Sequence, residues 1–206
     1  MKKLQKPTLV EKTFDNVAVQ TAITGLSIFS GNPIASLLPV LSGSLASGRH
    51  KKRIEDALGS INDTLLKHEE KIREITDAQY KLINETILTV LQTTESDKIA
   101  YLRNAIENSI ETDINDTMAS LLSRIIRDIS SEEIKFLNKN ISYKKILFME
   151  DSGLKTDLYI KPQSHESTIA AGLISLGVLL PADSTIDNIS TYTYSELAEK
   201  LLAIVT

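Results

Sequence analysis

Residues 16–48 of this 206-residue chain contain no Asp, Glu, Lys, Arg or His. The stretch reads "NVAVQTAITGLSIFSGNPIASLLPVLSGSLASG", and "RHKKR" (49–53) follows it at once. A surface that faces water normally carries charge, so both faces of such a stretch call for a cover. The cover is the chain's own core, another subunit, or lipid. About half of the stretch is apolar, and the apolar residues are patterned. Val19, Ala22, Ile23, Leu26 and Phe29 share one helical face; Ile34, Leu37, Leu38, Leu41 and Leu45 share another. "GNP" (31–33) separates the two, with Pro33 suited to the first position of the second helix. The pattern predicts a helical hairpin over 16–48. Each arm of about 15 residues falls short of the roughly 20 that cross a hydrocarbon core. Small residues at i and i+4 (Ser27 and Gly31, Ser42 and Ala46, Ser44 and Gly48) allow close helix–helix approach. The contact residues expected here, toward a partner or a membrane, are Leu26, Phe29, Ile34, Leu37, Leu38, Leu41 and Leu45. The basic flank is Arg49, Lys51, Lys52 and Arg53. Basic residues on both sides also suit a re-entrant hairpin with its two ends on the cytoplasmic face.

The net charge of −4 is unevenly spread. Residues 1–15 carry +2, residues 49–53 carry +4, residues 54–150 carry −6 and residues 151–206 carry −4. Basic charge is thus confined to the flanks of the uncharged stretch, whereas a nucleic-acid binder concentrates it on its reading module. In the basic segment 1–15, Glu11 and Asp15 fall where the apolar core of a signal peptide would begin, so none is expected. With no cysteine, disulfides and thiolate chemistry are excluded, and a reducing, cytoplasmic or membrane-peripheral setting is expected.

Beyond Arg53 the chain reads as a bundle over 49–129. Ile54, Leu58, Ile61, Leu65, His68, Ile72 and Ile75 alternate spacings of four and three, predicting one amphipathic helix over 54–75 with His68 as the polar member of its seam. "TDAQ" (76–79) is a capping-box pattern opening a second helix with Tyr80, Ile83, Ile87, Val90 and Leu91 on its apolar face. Ser96 is the expected cap of a third, lined by Ile99, Leu102, Ile106 and Ile110. "TDIND" (112–116) opens a fourth, and "SSEE" (130–133) a short fifth ending near Asn138. Short connections predict antiparallel neighbours.

From 130 onward the texture changes. "ISYKKILF" (141–148) suits a strand or a short helix, and "LYI" (158–160) a brief strand. "SHESTIAAGLISLG" (164–177) reads as a capped helix closed by Gly177. "VLL" (178–180) and "ISTYTY" (189–194) read as strands, with Ser195 capping a final helix. Helix, strand, loop, strand, helix over residues 130–206 resembles a winged-helix module. In that family the helix before the hairpin enters the DNA groove. Here that helix holds no Lys or Arg, and the hairpin loop holds Asp183 and Asp187. A protein partner is therefore expected, and nucleic acid is not.

Catalytic signals are few. His50, His68 and His165 share no metal-ligand spacing. "GSLASGRH" (43–50) keeps the outer glycines of a phosphate loop but lacks its Lys and its Ser/Thr. "SYKK" (142–145) fits S-x-x-K without a supporting motif. Glu69–Glu70 and Glu132–Glu133 sit on charged helices and read as solvated faces. No enzyme activity, cofactor or metal is expected.

The expected fold is mainly α: the hairpin, the bundle and a small α+β winged-helix-like module. An uncharged amphipathic start, a helical region and such a tail are similar in layout to small bacterial proteins of the abortive-infection alpha type. That resemblance implies a phage-defence protein. The function expected is helix-mediated association with a protein partner or a second copy, with a membrane-perturbing effector as the alternative and a nucleic-acid-binding regulator as the second alternative.

Overall fold

The computed structural model describes residues 48–150, 156–183 and 189–206. Of the hairpin expected over 16–48, only Gly48 is described; its contact residues from Leu26 to Leu45 and the segment 1–15 lie outside the described residues. The elements run α1 (Gly48–Lys67), α2 (Glu69–Ile72), α3 (Asp77–Gln92), α4 (Ser96–Glu111), α5 (Asp116–Asp128), α6 (Ser131–Asn140), β1 (Ile146–Leu147), β2 (Leu158–Tyr159), α7 (His165–Ser175), β3 (Leu179–Pro181), β4 (Thr191–Tyr194) and α8 (Glu196–Val205). The protein is mainly helical, with one small mixed sheet.

The single helix expected over 54–75 is two helices. α1 starts earlier, at Gly48, and the helical path is interrupted at His68, whose φ of −104° and ψ of 21° leave helical geometry. Glu69 and Glu70 then form the first turn of α2, where the positive end of the helix dipole favours acids. The capping box at Thr76 forms as expected: its hydroxyl accepts from the Gln79 N–H, and the Gln79 side chain accepts from the Thr76 N–H. Ser130 and Glu133 close an equivalent box on α6. Ser96 is not the cap of α4. Glu95 holds that position without a side-chain bond, and its carboxylate instead accepts from the Ser131 N–H at 2.9 Å. The expected cap Ser195 does precede α8, but its hydroxyl donates to the Val178 carbonyl at 3.0 Å and leaves the helix uncapped by side chain.

α3 is the central helix. Leu82, Thr86, Ile87 and Val90 are fully covered on different sides of it, because α4, α5 and α1 all pack around it. Ile99, Leu102, Ile106 and Ile110 of α4 are buried as their spacing requires. α8 lies across α4, α5 and α6. Asn104 and Asn108 of α4 donate to the Val205 and Ile204 carbonyls at 3.1 and 3.0 Å, satisfying groups that the end of α8 would leave open. One apolar cluster runs from Ile54 through Leu82, Ile106, Ile126 and Leu137 to Ile204 and Val205.

The sheet has the order β2-β1-β4-β3. β3 and β4 pair antiparallel with Leu180 opposite Thr193, and β4 pairs antiparallel with β1. β2 adds to the far edge of β1 in parallel, a pairing the local pattern does not announce. Between α7 and β3 the chain turns through Gly177 at φ +73°. The Gly177 N–H bonds the Ile174 carbonyl and the Val178 N–H bonds Leu173, while Leu173 and Val178 are both fully buried. This double closure with an apolar contact is the Schellman arrangement, and it needs a residue tolerant of positive φ. At Gly172 an added Cβ would lie 1.8 Å from Glu133 Oε1, so α7 rests directly on the capping carboxylate of α6.

Candidate functional site

The uncharged stretch meets the helical body at α1. Its last residue, Gly48, is the first residue of α1, and Arg49 and Lys51 belong to the same opening turn. Lys52 is exposed. Arg53, expected as part of a solvent-facing basic flank, turns inward instead. Its guanidinium donates to the Thr94 carbonyl at 3.2 Å and to the Ser96 hydroxyl, clamping the head of α1 to the α3–α4 loop. Its Nε is buried without a hydrogen-bond partner.

Further along, α1 lies parallel to α4, since Arg53 meets Ser96 while Lys67 meets Glu107. Lys67 Nζ lies 3.5 Å from Glu107 Oε1. His68 stands between two carboxylates one turn apart, with Nε2 3.6 Å from Glu107 and Nδ1 3.7 Å from Glu111. Both distances are too long for a hydrogen bond, and Nε2 is a buried atom without one. Lys71 pairs with Glu111, and that bonded ammonium holds the Glu111 carboxyl below the usual carboxylate range. The apolar part of the seam is Ile54, Ala57 and Ile61 on α1 and Ile72 on α2. Exposed ion pairs of this kind add little to stability. A buried polar atom without a partner costs about 1–3 kcal/mol. The ion pairs at the tail of α1–α2 therefore add little to the apolar contacts of Ile54, Ala57, Ile61 and Ile72.

A second polar centre joins α4, α5 and α6. Lys98 is buried, and its ammonium donates to the Arg127 carbonyl at the end of α5, 2.8 Å away. Burial pushes its pKa down, while Glu95, Asp128 and Glu133 oppose the shift. The bond from the Ser131 N–H holds the Glu95 carboxyl below its usual range. The sequence reading missed Lys98, although it lies four residues before Leu102 and so shares the buried face of α4. It also missed the reach of Gln79, whose Nε2 donates to the carbonyls of Ser109, Ile110 and Thr112 at 3.0–3.1 Å.

A cleft of about 100 Å³ opens at the other end of α4. Ile114, Met118, Leu122 and Ile204 line its interior, with Asp113, Glu196 and Lys200 also on its wall. His165 sits exposed in the first turn of α7, far in sequence and in element from His68. Glu69 pairs with Arg73 and Glu132 with Lys135, as solvated helix faces would. Glu133 departs from that reading, because it is half-buried in its capping box. Among the described residues, no group of three or more His, Asp or Glu is arranged to hold a metal. No described helix is long and apolar enough to cross a membrane. Comparison with protein-family models, with curated proteins and with solved structures returned no match.

Proposed function

We propose that this protein works by association: a non-enzymatic helical body that presents the uncharged stretch 16–48 to a second copy or to a protein partner. One observation carries this reading. The helices after Gly48 bury their apolar seams against one another in a single cluster from Ile54 to Val205. Among the described residues, only Leu66 and Leu180 are large hydrophobics left exposed. The cover for the sixteen or so apolar side chains of the stretch is then sought in another molecule. The winged-helix-like part fits the same role. Its sheet order β1-β4-β3 and the position of α7 before the hairpin support that description. α7 holds no Lys or Arg and exposes Glu166 and Ala171, which suits a protein surface better than a phosphate backbone. The abortive-infection alpha layout adds a phage-defence setting.

Light scattering on the full chain tests it. The wild type is expected to be larger than a monomer, and Leu37→Asp or Leu41→Asp is expected to reduce it to one while the far-ultraviolet dichroism is kept. A strictly monomeric wild type, with no protein captured through the stretch, sinks the reading. The membrane alternative draws on the exposed Lys52 beside a charge-free segment with basic residues on both flanks. It predicts dye leakage from vesicles of anionic lipid, lost in the same two variants.

A further inference from the structure

We infer that α1–α2 is a salt-latched strap, which opens as a unit while α3–α8 stay folded. The strap packs by one face only: Ile54, Ala57, Ile61, Asn62 and Ile72 are buried and Leu58 and Leu65 half-buried, whereas Asp56, Asp63, Leu66 and Lys67 are exposed. α3, in contrast, is buried along both sides of its length. The ion pairs, which salt screens, lie at the tail, beside the buried Ile72 of α2. Arg53 holds the head through Thr94 and Ser96. Lys67 and Lys71 hold the tail through Glu107 and Glu111.

Two buried atoms without hydrogen-bond partners, Arg53 Nε and His68 Nε2, sit at these same two ends. Opening returns both to water, so release recovers hydration that closure forfeits. The break at His68 adds a point where the helical path is already interrupted. α3, α4, α5, α6 and α8 pack on one another through contacts that do not involve the strap. Release therefore resembles the sub-global opening of a weakly held unit. It would swing α1 together with the uncharged stretch joined to it at Gly48. The inference rests on the association reading only for what the strap carries.

Native-state hydrogen exchange on the full chain at low protein concentration tests it. Amides of 52–72 are expected to show protection about 100-fold or more below those of 77–92 and 96–111. Raising sodium chloride from about 20 mM to about 500 mM is expected to widen that gap several-fold. Glu107→Gln with Glu111→Gln is expected to widen it at low salt and leave α3 protection unchanged. Equal protection in α1, α3 and α4 overturns the strap. An opening indifferent to salt and to the two glutamines overturns the latch. Exchange is read on the isolated molecule, so a failure of self-association leaves this outcome untouched.

Discussion

Lys98 illustrates how one side chain sets a pH dependence. Its ammonium is buried against the Arg127 carbonyl, and burial lowers its pKa from the ordinary lysine value. The folded chain therefore gives up this proton at a lower pH than the unfolded chain does. Stability rises with pH wherever the unfolded state holds more protons, so this group contributes a gain between its lowered pKa and the ordinary value of about 10.4. Lys98→Met is expected to lie within about 1 kcal/mol of wild type at pH 7, since an apolar residue of similar length removes a buried charge without leaving a void. Urea unfolding at pH 7, 9 and 10.5 checks the sign: wild type should gain on the variant as pH rises. A constant difference would show that Lys98 titrates alike in both states. No such tuning is visible in the string "TTESDK" (93–98), which reads as a break before the third helix. Only the i+4 spacing from Lys98 to Leu102 hints that the lysine faces inward.

Among elements, the joint between α3 and α4 depends on Gln79. One end of its amide completes the α3 capping box and the other caps the last turn of α4 through three carbonyls. Gln79→Ala leaves those buried acceptors unpaired and is expected to cost about 2–4 kcal/mol in urea unfolding. Gln79→Glu keeps the shape but offers only acceptors, so it should cost at least as much at pH 7. A change below about 0.5 kcal/mol in both would remove the amide from its bridging role. The pattern "TDAQ" was legible because a capping box is local, three residues from end to end. The second half of Gln79's work was not, because its partners lie 30–33 residues away. The same contrast holds for β2. Its propensity reads as strand, but its parallel pairing with β1 is a choice made by the sheet.

At the scale of the molecule, the body after Gly48 closes one core on itself, from α1 through α8. A chain beginning at Gly48 is expected to fold, with a melting temperature within about 5 °C of the full chain. Calorimetry on the two chains checks this. A body that fails to fold, or melts far lower, would mean that residues 1–47 supply part of the core, and the association reading would lose its footing.

The sequence alone determined where the helices after Ile75 begin, to within a residue or two, and where Gly177 must turn, because periodicity, capping and positive φ are short-range demands. It also set an uncharged, half-apolar stretch directly before a basic run. Tertiary structure decided the rest: that Arg53 clamps inward, that His68 interrupts its helix between two glutamates, that Lys98 is buried, and that β2 joins the sheet in parallel. Each of these depends on residues distant in sequence meeting in space, and a linear pattern does not specify which partners will meet.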